Sequence, residues 1–140
     1  MAITAAEVNK LRQQTGAGMM DCKNALVEAN GDFEAAIDIL RKKGQKIAAK
    51  RGENDASEGL VLAQVTADGK TGVVLALNCE TDFVAKNDGY MKLVQSFLDI
   101  ALTNLPATAD ELKALAYDDK LTVADKITEQ IGVIGEKLDL

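Results

Sequence analysis

Apolar residues in the first third of the chain recur at helical spacing and are cut into three short runs by glycine. Thr4 and Glu7 stand at capping-box spacing, with Ile3 and Val8 placed as a hydrophobic staple around them, so a helix is expected from about residue 5. Val8 and Leu11 continue its apolar side until Gly16-Ala17-Gly18 interrupts it, which predicts a tight helix-to-helix joint. A second helix is expected over about residues 20–29, where Cys22, Leu26 and Ala29 share a face and Asn30-Gly31 supplies the stop. Asp32 is placed to cap a third, whose stripe of Phe33, Ala36, Ile37 and Leu40 ends in Arg41, Lys42 and Lys43 before Gly44.

After Gly44 the sequence turns polar and loses its period. The basic stretch that includes Lys46, Lys50 and Arg51 can prolong a helix before a loose connection. The expected division is a three-helix module at 1–45, a basic and polar linker at 46–58 and a second unit at 59–140. In that unit β-type runs at residues 60–66 and 71–78 flank Asp68-Gly69, a strong hairpin-turn signal. Tyr90, Leu93, Val94, Phe97, Leu98 and Ala101 then mark one face of a helix that ends before Pro106 and covers the hairpin. Shorter helices are expected at 110–116 and, capped by Thr122, at 123–131; residues 136–140 read as the start of a third strand cut off by the chain end. The fold class is α+β: a helical module, then a small antiparallel sheet covered by helices.

Composition narrows the functional classes. Hydrophobic residues make up 47% of the 140 positions and charged ones 27%, which fits a folded protein with a core and excludes a disordered tail. No apolar run approaches the roughly 18 residues a bilayer span needs, and no signal-peptide pattern opens the chain, so a cytoplasmic location and no membrane partner are expected. The net charge of −6 conceals an asymmetry: residues 1–51 hold nine Lys or Arg against six acids, and the remainder seven against sixteen. The acidic total argues against a dedicated nucleic-acid binder. Cys22 and Cys79 lie far apart in different expected units, which points to reduced, buried thiols rather than a disulfide or metal pair.

Candidate chemistry is thin. Histidine is absent from the sequence, which removes the commonest general base, the commonest metal ligand and every imidazole-dependent triad. Gly69-Lys70-Thr71 matches the end of a phosphate-binding loop, but Gln64 stands where that loop needs its first glycine. Gly16-Ala17-Gly18 joins helices where a dinucleotide fingerprint joins a strand to a helix. Asp118-Asp119 reads as a solvated pair in a loop. The expectation is a chain with no catalytic residue, no metal site and no cofactor, which works by docking onto another protein.

Two segments remain. Residues 11–26, LRQQTGAGMMDCKNAL, surround the first helix joint and carry adjacent methionines, for which one side chain in the core and one exposed is the expected arrangement. Residues 77–86, LNCETDFVAK, leave the second strand. Here the residues themselves favour Thr81 or Asp82 as the cap of a helix with Phe83 packed inside, over an aromatic displayed outward.

Together the two segments resemble the signature motifs of bacterial elongation factor Ts, the nucleotide-exchange factor for elongation factor Tu. The resemblance extends over the helical module, the linker, the hairpin and the following helix. It implies a module similar to ubiquitin-associated domains followed by an α+β core, of which the second half would lie beyond Leu140. Ala76 departs from the pattern, since family members often carry an acid two residues before the motif asparagine. The resemblance further implies that Thr81, Asp82, Phe83 and Val84 contact elongation factor Tu in its GDP-bound and nucleotide-free forms, with Asp82 and Phe83 entering near its Mg²⁺ and phosphate site. Arg12, Met19 and Met20 match a second contact on the same partner. Two rival expectations are a ubiquitin-associated-type peptide-binding module resting on residues 1–44, and an RNA-binding translation accessory using Lys46, Lys50 and Arg51. The second has few stacking surfaces, with aromatics at 4%.

Overall fold

A computed structural model of the chain describes residues 2–140. It is an α+β protein that divides into two compact units, one formed by Met1–Arg51 with Thr128–Gly135 and the other by Gly52–Ile127 with Glu136–Leu140.

In the first unit, α1 (Ala5–Thr15) begins at the expected capping box: the Glu7 amide donates to Thr4 Oγ1 and the Thr4 amide donates back to the Glu7 carboxylate. The Thr4 amide first, and then the Thr4 hydroxyl, which also donates to the Glu7 carboxylate at 2.7 Å, hold that carboxyl below its ordinary pKa. The helix stops at Gly16, whose φ of 71° is left-handed and whose amide closes on the Arg12 carbonyl at 2.8 Å. Three residues later α2 (Met19–Glu28) starts. Its end turns through Asn30 and Gly31, both at positive φ, with the Gly31 amide reaching the Leu26 carbonyl at 2.8 Å. Asp32 then caps α3 (Phe33–Arg51) by accepting from the Ala35 amide at 3.1 Å. Val8, Leu11, Ala17, Cys22, Ala25, Leu26 and Ala36 form the core, with Ile3, Phe33, Ile37 and Leu40 packed around it.

The largest difference from the expected division lies in α3. Gly44 does not end the helix, which runs on to Arg51, so residues 46–51 are helical and only residues 52–57 connect to the first strand. The reason is tertiary. A Cβ on Gly44 would stand 2.8 Å from the Thr128 carbonyl oxygen, and one on Gly132 would stand 2.8 Å from the Gly44 Cα. Two glycines let two helices approach backbone to backbone, and the glycine that reads locally as a stop is a packing residue. For the same reason residues 128–135 belong with the helical unit and not with a single block at 59–140.

In the second unit, β1 (Glu58–Val65) and β2 (Gly72–Cys79) pair antiparallel, Glu58 opposite Cys79 and Val65 opposite Gly72. The turn is tied by Asp68, which accepts from the Thr66 hydroxyl at 2.6 Å and the Lys70 amide at 3.0 Å, while Gly69 supplies a φ of 71°. Beyond β2 come a single helical turn, α4 (Asp82–Ala85), and then α5 (Asp88–Asn104). The expected apolar stripe of α5 is buried along its length, and Leu105 ends it in a left-handed conformation just before Pro106. The Gln95 side chain reaches Gln64 of β1, which identifies the sheet face that α5 covers. On the opposite face Val61, Val65 and Val74 stay exposed.

The helix α6 (Ala109–Ala114) is capped by Thr108, and α7 (Val123–Ile134) opens on a reciprocal pair between Thr122 and Asp125. The first ends two residues earlier than the pattern suggests, because Ala116 bridges to Thr122 and Asp118 folds the intervening turn by accepting from the Lys120 and Leu121 amides at 2.8 Å each. The expected third strand is reduced to one bridge: Asn78 and Asp139 exchange amide-to-carbonyl bonds of 2.8 and 3.0 Å. No helix of the described residues is long and apolar enough to cross a membrane.

Helix propensity alone would favour Gly44→Ala by about 1 kcal/mol. We expect the opposite sign, a loss of about 1–3 kcal/mol, because the methyl group meets backbone that cannot yield like a side chain. Urea unfolding of the variant at or above wild-type stability would show that the two helices do not need this close approach.

Candidate functional site

The site grows from the end of β2. Leu77 and Cys79 point into the core and are fully buried, which fixes where the chain emerges. The Tyr90 hydroxyl donates to the Leu77 carbonyl at 2.5 Å, and the Cys79 thiol donates to the Thr81 carbonyl at 3.2 Å. Burial pushes the Tyr90 hydroxyl and the Cys79 thiol upward in pKa, so both stay protonated donors at neutral pH. Cys22 is buried and raised by the same cause, and both cysteines are free. Their burial is as expected.

Thr81 then turns the chain. Its extended φ and ψ of −123° and 151° make it the N-cap of α4, with the Val84 amide donating to its hydroxyl oxygen at 3.5 Å. The cap is as expected, and the aromatic beyond it is not packed inside: Phe83 is 83% exposed. Val84 and Ala85 are half-buried and seat the turn, leaving Phe83 to project. Asp82 pairs with Lys86 one turn on, Nζ to Oδ2 3.0 Å, and this hydrogen bond and charge hold the Asp82 carboxyl below the usual aspartate range. Both ends of the pair are open to water, so it orients Asp82 more than it stabilises the fold.

The exit of β2 carries a second set of bonds that the local sequence does not announce. Glu136 accepts from the Glu80 and Thr81 amides at 3.1 and 3.0 Å through one carboxylate oxygen, and from the Thr81 hydroxyl at 2.7 Å through the other. In return the Glu80 carboxylate accepts from the Lys137 amide at 2.7 Å and the Asn54 side chain at 3.2 Å. The Lys137 ammonium donates to the carbonyls of Gly52 and Asn54. The sequence reads Glu136 only as the first residue of a third strand; in the fold it follows Gly135, whose φ of 79° turns the chain at the end of α7.

The other candidates lie in the first unit, on either side of the α1–α2 joint. Arg12 is exposed in the last turn of α1. Met19 and Met20 are both exposed, at 49% and 63%, which corrects the expectation of one in and one out. Gly18 caps α2, so the pair occupies the first helical positions, while Ala17 and Cys22 on either side fill the interior. The structure keeps Thr81, Asp82, Phe83 and Val84 together at one tip, and leaves Arg12, Met19 and Met20 each exposed on the first unit.

Fold and site define a two-unit α+β protein that displays an uncovered aromatic where a hairpin strand ends. Comparison with known proteins narrows that class. The family model for elongation factor TS matches residues 80–140, which include the tip and its Glu136 partner. Over 139 residues the chain is 61% identical to elongation factor Ts of Christiangramia forsetii, covering 99% of this chain and 49% of that protein. It is 56% identical over 140 residues to those of Amoebophilus asiaticus and Bacteroides thetaiotaomicron, covering all of this chain and 50% and 42% of theirs. The chain is thus similar along its whole length to elongation factor Ts proteins, and it spans about half the length of the curated relatives it matches.

Because Phe83 buries so little of its own surface, Phe83→Ala should change unfolding free energy by no more than about 0.5 kcal/mol. A larger loss in chemical denaturation would mean that the ring holds the fold and is not free for a partner. Cys22 and Cys79 should likewise resist a water-soluble disulfide reagent until the chain is unfolded; reaction of either at the rate of a free thiol in native buffer would contradict their burial.

Proposed function

We propose that this chain is a translation elongation factor segment that promotes GDP release from elongation factor Tu, in the cytoplasm, through contact and not through chemistry of its own. The single observation that carries the reading is the exposed Phe83 on a capped, strand-anchored turn, in a chain similar to elongation factor Ts proteins. An isolated aromatic held in water gains nothing for its own fold, and fully burying it in a partner is worth roughly 1.5–3 kcal/mol. In this reading Phe83 enters the nucleotide domain beside the Mg²⁺ and phosphate site, and its burial there offsets a small helix displacement that loosens the contacts to both. Asp82, oriented by its pair with Lys86, sits beside it as the charged part of the contact.

Coupling between two ligands of one protein is reciprocal: a factor that weakens GDP binding is itself weakened by bound nucleotide, so incoming GTP releases it. Arg12 with Met19 and Met20 forms the second contact on the same partner. An arginine beside flexible, polarizable thioethers is a composition that interfaces favour, and all three side chains are exposed.

Stopped-flow release of a fluorescent GDP from elongation factor Tu tests the reading directly. Addition of the 140-residue chain should accelerate release, and Phe83→Ala should reduce that acceleration at least about tenfold, on the order of 1.4 kcal/mol. Equal rates with and without the chain would reject exchange activity. Met20→Ala should weaken binding without altering the Mg²⁺ dependence of release; unchanged affinity in a calorimetric titration would remove the helical unit from the interface.

A further inference from the structure

Beyond the residues of the tip itself, the geometry points to Glu136 as a positioning residue: its carboxylate sets the direction in which Thr81 launches α4 and therefore where Phe83 stands. This inference rests on the exchange reading for its functional consequence, but its structural part concerns the free chain alone.

Consider what holds Phe83 in place. A helix of four residues lies far below the length at which helical hydrogen bonding sustains itself, so α4 depends on its cap and its anchors. No residue of α4 is fully buried, and the Asp82–Lys86 pair is solvent-exposed. The bond from the Val84 amide to the Thr81 hydroxyl is long, 3.5 Å, and works only if that hydroxyl turns a lone pair toward Val84. A threonine hydroxyl has one proton to place. Glu136 takes it, at 2.7 Å, and so leaves the lone pairs free to face the helix. The same carboxylate fastens the two preceding amides, of Glu80 and Thr81, at 3.1 and 3.0 Å. One charged side chain thus satisfies three donors at the strand exit, and charge-assisted bonds of this kind are about twice as strong as neutral ones.

The arrangement is reciprocal, which makes it directional. Glu80 lends its carboxylate to the Lys137 amide while Glu136 binds the Glu80 amide, so two short segments clasp each other by backbone and side chain in both directions. Asn54 and the ammonium of Lys137 brace the clasp from the 52–54 segment. A displacement of the tip would break several bonds at once. The anchor acts on Phe83 without touching it, so Glu136 changes where the ring is presented and not what the ring contacts.

The test uses the full 140-residue chain with Glu136→Gln, which keeps the shape and removes the charge, together with Thr81→Val and the double variant. Amide hydrogen exchange in the free chain should rise about tenfold or more at Glu80, Thr81 and Val84 in Glu136→Gln, while amides of α5 keep wild-type protection. Unchanged exchange at those three amides overturns the inference whatever the partner does. In the GDP-release assay with elongation factor Tu, Glu136→Gln should lower the saturating rate about fivefold with a smaller change in the half-saturating concentration, and the double variant should be no slower than the slower single one. A merely structural loss would instead lower the melting temperature and the active fraction, leaving the saturating rate per folded molecule at the wild-type value, and that outcome also overturns the positioning role. If the wild-type chain itself gives no acceleration, the exchange reading fails, and the amide-exchange result still decides whether Glu136 fixes the tip.

Discussion

The second unit depends on burying one face of a two-stranded hairpin beneath α5. Two strands alone are marginal in water, because half their backbone groups and one side-chain face stay wet. Here Leu77 and Cys79 of β2 and Tyr90, Val94, Phe97 and Leu98 of α5 are all buried, and the Tyr90 hydroxyl occupies the Leu77 carbonyl at the last point before the strand leaves the core. The strand exit becomes a fixed point. Everything presented beyond it, Thr81 through Val84, inherits its position from a hairpin that one helix holds in register.

Such a foundation explains why the tip can be polar at its root and apolar at its end. Hydrophobic packing would hold Phe83 well only by covering it, and a covered ring has nothing left to give a partner. Hydrogen bonds fix direction at small cost in area, so the protein spends its burial on Leu77 and Cys79 and leaves placement of the tip to the Glu80–Glu136 clasp. Exposed apolar residues in the first unit follow a related rule. Met19 and Met20 sit at the start of α2, between Ala17 and Cys22, the small residues that the core takes from this joint.

Features encoded within one turn of chain were legible beforehand. The Thr4–Glu7 box, the Asp68-Gly69 turn, the buried stripe of α5 and the Thr81 cap each involve residues no more than a few positions apart, and local chemistry decides them. What stayed hidden was settled by partners distant in sequence. Gly44 looks like a terminator next to three basic residues until Gly132 is placed against it; then the same missing Cβ is a packing requirement inside a continuous helix. Glu136 looks like the beginning of an edge strand, and only the fold brings it to the Thr81 hydroxyl. Residues 81–84 were visible as a site because family resemblance marks them, while the residues themselves favour Phe83 packed inside.

These two hidden features have a common origin in how little apolar surface a chain of this size can bury in two separate cores. Each core is small enough that side-chain packing alone leaves joints under-determined. In the first unit the joint is tightened sterically, by removing two Cβ atoms so that backbones touch. In the second it is tightened electrostatically, by a carboxylate that collects three donors. The choice follows from what each joint carries. Where two helices meet backbone to backbone, a closer approach adds dispersion contacts. At a strand exit bearing an exposed ring, Val84 and Ala85 are only half-buried, and directional bonds add hold while leaving the ring uncovered.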